Sequence, residues 1–204
     1  GLYQLYIIII VSFYLLFMSS CTTESLEMPV FKYQDLIPDQ FPTPDLDSFP
    51  KLVELELGRK LFYDPVLSSD SSISCSSCHK PALAFSDTVS TSMGVHQRIG
   101  TRNAISIANV VYQMKLLREG GVPTLEQQIL VPIQEHAEFD NNILVIANTL
   151  NKIPAYVDLS IKAYNRLPDA FVITRSIAAF ERCLFSGNSK YDHFLKGLQT
   201  LTQE

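Results

Sequence analysis

Apolar residues recur at helical spacing over most of the chain from residue 52 onward. The segment from Leu52 to Tyr63 begins after Pro50 and carries Val53, Leu57 and Leu61 four residues apart, as on one buried helix face. Similar segments are predicted at Asn103–Leu117, Asn142–Leu150, Ala155–Tyr164 and Tyr191–Leu198. Another begins at a Thr124 cap with Gln127 at the third position and stops at Pro132. A further one begins at an Asp169 cap, runs through Leu184 and ends at Gly187. No pair of strands with a hairpin turn is indicated. The pattern predicts an all-α fold built from short helices.

The first 21 residues have a different pattern. Residues 7–18 are apolar apart from Ser12, and Ser19-Ser20-Cys21 follows directly. The run is short for a membrane span and is typical of the apolar region of an export signal. Small residues before a cysteine resemble a bacterial lipoprotein signal, whereas the alternative is a plain membrane anchor with an incidental cysteine. We expect residues 1–21 to be a signal segment, with a lipid on Cys21 that anchors an exported, periplasmic protein to a membrane.

The remaining chain divides by composition. Residues 22–50 contain five prolines and little periodicity, so they are predicted to be a Pro-rich linker that tethers residues 51–204, the folded domain. The formal net charge is −5, with 16 basic and 21 acidic residues, so nothing suggests nucleic-acid binding.

The pentad Cys75-Ser76-Ser77-Cys78-His79 has the spacing of a c-type haem attachment site. Two thiols one helical turn apart can add to the two vinyl groups of haem, and the adjacent imidazole can reach the iron. A redox dithiol would be expected after a strand in a βαβ pattern, and a zinc site would need two more ligands at close spacing. We therefore expect haem c bound through Cys75 and Cys78, with His79 as the axial ligand.

Further motifs on both sides of this pentad resemble the N-terminal haem domain of the bacterial di-haem cytochrome c peroxidases, a family that includes the methylamine-utilisation di-haem enzymes. The matching pieces, in chain order, are Leu57-Gly58-Arg59-Lys60-Leu61-Phe62-Tyr63-Asp64-Pro65, Ala84-Phe85-Ser86-Asp87, Gly94-Val95-His96, Gly100-Thr101-Arg102-Asn103-Ala104, Leu125-Glu126-Gln127-Gln128, Pro132-Ile133, Glu138, Ala179-Phe180-Glu181-Arg182 and Ser186-Gly187. The resemblance covers about residues 50–200. It implies a cytochrome c-like haem domain.

The resemblance also implies a role for each matching position. His79 would be the proximal ligand of the peroxidatic haem, and His96 would be a distal ligand that leaves the iron on activation. Gln128 and Glu138 match the glutamine and glutamate that handle peroxide, and Asn103 matches a ligand of a calcium ion. The chemistry requires these types, because peroxide cleavage needs a group that takes and returns a proton, and an amide can orient the peroxide. Without the resemblance, His96 and Glu138 would be interpreted as surface residues.

The function implied by the resemblance is reduction of hydrogen peroxide to water, with electrons from a small protein such as a cytochrome c or a cupredoxin. Oxidation of a protein side chain by the same iron is a related alternative, and a homodimer is an open possibility. A single-haem electron carrier is the alternative from another class, with the iron held by both His79 and His96. A structural lipoprotein whose pentad never receives haem is a third.

Two departures from the family are visible. Arg118-Glu119 stands before Gly120-Gly121, where the family usually has a Trp-Asp pair, so an electron route through an aromatic ring is in doubt. A cation there would also alter the potential of the haem. The family has a second haem domain, which these 204 residues do not contain, and we therefore expect the chain to be a fragment.

Overall fold

The computed structural model describes residues 30–198 and residue 200, which form seven α-helices joined by turns and by short 3-10 helices. The α-helices are α1 (Leu52–Tyr63), α2 (Cys75–Cys78), α3 (Leu125–Gln134), α4 (Ile143–Leu150), α5 (Pro154–Tyr164), α6 (Ala170–Glu181) and α7 (Lys190–Leu195). The 3-10 helices are Tyr33–Leu36, Pro65–Leu67, Pro81–Leu83, Val95–Gln97 and Val110–Tyr112. β-Structure in the described residues is limited to three isolated antiparallel bridges. The all-α prediction is confirmed.

Most of the predicted helices are present, and their caps explain why. The predicted bounds of α1 are those observed. Asn142 caps α4 by accepting from the Leu144 amide, and Asp169 caps α6 by accepting from the Val172 amide at 2.9 Å. These side chains satisfy amides that the first helical turn leaves without partners. At its other end, α6 stops at Glu181, before the predicted end at Gly187.

The predicted helix at Asn103–Leu117 is wrong. Only Val110–Tyr112 is helical there, as a single 3-10 turn. Asn109 and Leu117 both have left-handed backbones, with φ of 58° and 62°, and such residues interrupt an α-helix. Three apolar residues of this segment, Ile107, Val110 and Leu116, are buried all the same, because the irregular chain follows the wall of a cavity.

The predicted helix stop at Pro132 is also wrong. Helix α3 continues to Gln134, although Pro132 has no N–H for the Gln128 carbonyl. Ile129 and Ile133 are both buried on the same face, and their burial offsets the missing hydrogen bond. The chain then folds back on the helix end, where the Phe139 amide donates to the Pro132 carbonyl at 3.1 Å.

The core is built around the contact between α1 and α6. Leu57, Leu61 and Phe62 pack against the buried face of α6, which includes Ile173 and Ile177. Each such side chain contributes about 1.5–3 kcal/mol when fully buried. Gly58 lets the two helices approach, since a Cβ built there would lie 1.7 Å from the Ser176 carbonyl oxygen.

Residues 31–50, which we call the N-terminal strap, pack on the helical domain, so the tether predicted over residues 22–50 is not free along its whole length. Tyr33 is buried, stacks on Phe49 and donates its hydroxyl to the Arg182 carbonyl at 2.8 Å. Gln40 donates to the Gly187 carbonyl, and Tyr112 donates to the Pro42 carbonyl. Aromatic burial and main-chain hydrogen bonds therefore attach the strap to the end of α6.

The predicted signal segment and its lipidated Cys21 lie outside the described residues, as do residues 22–29 of the predicted linker. None of the helices in the described part of the chain is long and apolar enough to cross a membrane. Export, lipidation and a periplasmic location therefore stay predictions.

Candidate haem-binding site

A cavity of about 450 Å³ brings together most of the predicted site residues. Cys75, Cys78 and His79 line it, and so do Gln128 and Glu138. Its other walls are largely apolar and come from α3, α6 and the irregular 103–117 segment. A volume of this order is that of a cofactor or small-molecule site.

The turn that follows α2 fixes the orientation of His79. His79 lies at the C-terminal end of α2, and its amide donates to the Cys75 carbonyl at 2.9 Å. Ala84 and Phe85 have left-handed backbones, which turn the chain so that the Phe85 carbonyl lies 2.9 Å from His79 Nδ1. A proton on Nδ1 that is donated to this carbonyl leaves Nε2 with a free lone pair, as in metal-binding histidines.

The state of the His79 ring agrees with this role. Burial lowers the pKa of His79, although the nearby Phe85 and Ile105 carbonyls partly oppose the effect. A neutral imidazole is the form that binds iron. The turn is further secured by an ion pair of 2.7 Å between Lys80 and Asp87.

Cys75 and Cys78 form no disulfide in the described residues, and their surroundings disfavour the charged thiolate. Burial raises the pKa of Cys75 and of Cys78, and nearby carboxyl groups add to the effect. A reactive dithiol or a zinc site requires thiolates, so this environment disfavours both. In the described residues, no group of three or more His, Cys, Asp or Glu side chains is placed to hold a metal ion.

Gln128 and Glu138 line the cavity from the beginning of helix α3 and from the loop that follows the helix. Gln128 lies on the first turn of α3, after a Thr124 cap that accepts from the Gln127 amide at 3.3 Å. Glu138 lies on the loop after α3. Glu138 remains accessible to solvent through the open cavity, but the protein atoms around its carboxyl raise its pKa, and the negative charge of Glu135 adds to this.

Arg98 holds the Glu138 loop in place. Its Nη1 donates to the His136 carbonyl at 2.9 Å and to Asp140 Oδ2 at 2.5 Å. The hydrogen bonds from Arg98 and then His136 keep the pKa of Asp140 below its usual value. The Val95 amide, on the loop that carries Arg98, donates to the Glu138 carbonyl at 2.9 Å. The position of Glu138 therefore depends on the loop that carries Arg98.

Replacing Arg98 with Ala should loosen the contact between the loop that carries Arg98 and the loop that carries Glu138. Loss of charge-assisted hydrogen bonds should let the loops separate more often, so the Val95 amide should exchange with solvent about tenfold faster. Native-state hydrogen exchange measures this directly. Lys162→Ala is the matched control, because it removes an exposed ion pair with Asp158 on α5. An unchanged Val95 exchange rate in Arg98→Ala would show that Arg98 does not hold the loop.

His96 is not brought into the cavity. It lies on the Val95–Gln97 turn with a left-handed backbone, its side chain is 51% exposed, and Nδ1 lies 3.5 Å from Asp70 Oδ2. The His96 amide also donates to Asp70 Oδ2 at 3.1 Å. In this arrangement His96 is paired with a surface carboxylate, and its binding to the iron stays a prediction.

Asn103 lines the cavity, but its side-chain oxygen accepts a hydrogen bond from Arg118. Glu119, the other residue of the unusual pair, forms an ion pair with Arg102. A calcium ion at Asn103 would have to displace the Arg118 guanidinium, because two cations repel each other at this distance. The calcium ligand role of Asn103 stays a prediction.

Glu181 is a cavity residue that the sequence analysis did not single out. It is 6% exposed, and one of its carboxyl oxygens, Oε2, has no hydrogen-bond partner among the residues that the structure describes. The signal was a carboxylate on the strongly apolar α6, where a buried charge is costly. The Ala179-Phe180-Glu181-Arg182 motif contains this carboxylate, but the motif does not indicate that the carboxyl group is buried.

These residues fit a covalently attached haem. The cavity is bordered by two cysteines one helical turn apart, by an oriented imidazole and by apolar walls, and it is also lined by Glu181, whose Oε2 has no hydrogen-bond partner among the described residues. Together with the short helices, they define an all-α c-type haem domain.

A model of the di-haem cytochrome c peroxidase family matches residues 53–200, and the chain belongs to this family. Membership implies haem c as the cofactor. A cytochrome c551 peroxidase of Pseudomonas aeruginosa is 35% identical over 145 residues, which cover 70% of this chain and 42% of that protein. A cytochrome c peroxidase of Escherichia coli is 32% identical over 148 residues, which cover 71% of this chain and 31% of that protein. The chain thus spans less than half the length of these relatives.

Solved structures show the same architecture. A MauG-like protein associated with microbial copper homeostasis has a TM-score of 0.76 and 31% identity, over 82% of this chain and 51% of that one. Among the sequence relatives, the methylamine utilization protein MauG of Methylorubrum extorquens is 29% identical over 146 residues, which are 71% of this chain and 41% of that protein. The predicted family and fold class are therefore confirmed.

Proposed function

We propose that this domain reduces hydrogen peroxide to water at an iron held by His79. The observation that carries the proposal is the convergence of Gln128 and Glu138 on the cavity that Cys75, Cys78 and His79 also line. A single-haem electron carrier needs Cys75, Cys78 and His79, but it does not need a carboxylate that transfers protons in the same cavity. The relatives from Pseudomonas aeruginosa and Escherichia coli are named as cytochrome c peroxidases.

Haem c, when bound, supplies a redox-active iron that delivers electrons to the peroxide. The protein side chains handle the protons and the orientation. The Glu138 carboxylate accepts a proton from one peroxide oxygen and returns it to the departing oxygen, which leaves as water. The Gln128 amide can donate a hydrogen bond to the peroxide without competing for that proton. The overall reaction consumes two electrons and two protons for each peroxide.

The remaining features belong to the same proposal. The electrons come from a small redox protein, a cytochrome c or a cupredoxin, and the full activity requires a second haem domain. The protein is exported and anchored by a lipid on Cys21. Calcium at Asn103, His96 as a resting ligand and a homodimer are further predictions of the family resemblance.

The pH dependence of turnover should report on Glu138. Glu138 must be ionised to accept a proton, and its raised pKa means that the carboxylate is lost above the ordinary value of 4.5 as the pH falls. Turnover should therefore decrease on acidification at a pH above that value. Glu135→Gln removes one of the two causes of the shift, so its acid limb should lie at lower pH. Identical pH–rate profiles for the two proteins would contradict this electrostatic coupling.

The peroxidase and the electron carrier are distinguished by the open position at the iron. Haem-loaded protein should be reduced and exposed to carbon monoxide, and peroxide consumption should be measured with a chemical electron donor. Carbon monoxide binding together with steady peroxide consumption supports the peroxidase. A ferrous protein that binds no carbon monoxide and consumes no peroxide would establish the carrier, with both axial positions filled by the protein.

A further inference from the structure

Glu181 lines the haem cavity, but the proposed reduction of peroxide does not use its carboxyl group. It is the last residue of α6, and Ile177 on the preceding turn also lines the cavity. Its side chain is 6% exposed, and Oε2 has no hydrogen-bond partner among the described residues. A buried polar atom of this kind needs a partner, and the residue that carries it lines the cavity.

The protein gives a Glu181 carboxylate little compensation for its charge. Arg182 is the neighbouring cation, but its guanidinium is held by Glu126 through two hydrogen bonds of 2.9 and 3.0 Å. The C-terminal end of a helix carries partial negative charge, which also disfavours an anion there. Burial, opposed by Arg182 and assisted by Glu126, raises the pKa of Glu181 to about 8.

Among the ionisable groups in this part of the cavity, Glu181 is the one that can exchange a proton. Cys75 of α2 faces it, and a thioether at that position does not titrate. Arg182 on its own segment is a cation whose guanidinium is held by Glu126. On α3, burial is the largest single effect on Glu126 and raises its pKa, but the hydrogen bonds and charge of Arg182, a backbone hydrogen bond and the charge of Arg175 together lower the pKa overall. Among these groups, Glu181 is therefore the buried carboxyl that lacks a compensating partner.

We propose that Glu181 is the proton-exchanging group of this cavity, which takes up one proton when the iron held at His79 gains an electron and releases it when that electron leaves. Reduction removes one positive charge from the cavity, so the carboxylate loses its electrostatic support and binds a proton from water. The electron comes from the donor protein, and the carboxyl O–H is the only bond that forms or breaks. The inference rests on the proposed haem site and not on peroxide turnover.

The test is the midpoint potential of the haem-loaded protein between about pH 6 and 9. One proton per electron lowers the potential by about 59 mV for each tenfold fall in proton concentration. The unmodified protein should show this slope, Glu181→Gln should lose it, and Glu138→Gln should keep it. A flat profile in the unmodified protein, a slope that persists in Glu181→Gln, or a slope lost only in Glu138→Gln would overturn the proposal.

A second measurement needs no substitution, in case Glu181→Gln does not fold. The reduced-minus-oxidised infrared spectrum of the unmodified protein should contain the carbonyl band of a protonated carboxylic acid, and the band should shift in D₂O. Its absence contradicts proton uptake by a carboxyl group. A haem-loaded protein with the potential slope and no peroxide turnover would refute the proposed function and leave the role of Glu181 standing.

Discussion

Glu138→Gln should lower peroxide turnover by a factor of 10² to 10⁴, the usual contribution of a positioned acid–base group. Each factor of ten is 1.36 kcal/mol of activation free energy, so the loss corresponds to about 3–5 kcal/mol. Glutamine keeps the size and polarity of the side chain but cannot accept the peroxide proton. Steady-state peroxide consumption by the haem-loaded protein measures the effect, and the haem absorption spectrum should not change.

The matched control is Glu135→Gln, which removes a carboxylate three residues away on the same loop. Glu135 lines the mouth of the cavity and is exposed, so its loss should change turnover at neutral pH only a few-fold. Full turnover in Glu138→Gln would show that another group transfers the proton. Equal losses in both variants would indicate that the charge of the loop matters and not the Glu138 carboxyl itself.

Gly58→Ala should destabilise the folded domain by about 3 kcal/mol, at the upper end of the usual cost of overpacking a core. The new Cβ would lie 1.7 Å from the Ser176 carbonyl oxygen and 3.0 Å from the Phe180 Cβ, and the first of these atoms belongs to the backbone. Helices α1 and α6 must therefore move apart, which outweighs the gain of about 1 kcal/mol in helix propensity. Thermal unfolding should show a midpoint lower by roughly 6–12 °C.

Gly121→Ala provides the comparison for this substitution. A Cβ at Gly121 has no neighbouring atom within 4 Å, so its effect should stay within about 0.5 kcal/mol. Similar unfolding midpoints for the two variants would mean that the contact between α1 and α6 is not close enough to require glycine.

Local signals account for what the sequence predicts well. The bounds of α1 and the Asp169 cap of α6 follow from side chains next to each other in the chain, and the structure agrees. The 103–117 segment has apolar residues that suit a helix face, but the buried ones, Ile107, Val110 and Leu116, form part of a cavity wall made with distant parts of the chain. Periodicity cannot distinguish these two environments, because both need the same residues.

The site shows the same division. The Cys75–Cys78–His79 pentad is a local motif, and Gln128 and Glu138, to which the family resemblance gives the handling of peroxide, line the same cavity, while their role stays a prediction. Glu181 could not be found in this way, because its environment is created by α3, α2 and the end of α6 together. The position of His96 beside Asp70 likewise depends on two loops that are 26 residues apart in the chain.

The N-terminal strap limits how far the domain can stand from its proposed anchor. A free linker over residues 22–50 could extend about 100 Å, at 3.3–3.6 Å per residue. Because residues 31–50 are bound to the domain, only residues 22–30 would separate a lipid on Cys21 from the folded protein, which allows about 30 Å. An electron donor would then have to approach within one protein diameter of the bilayer surface, where membrane-bound donors are concentrated and large soluble ones are hindered.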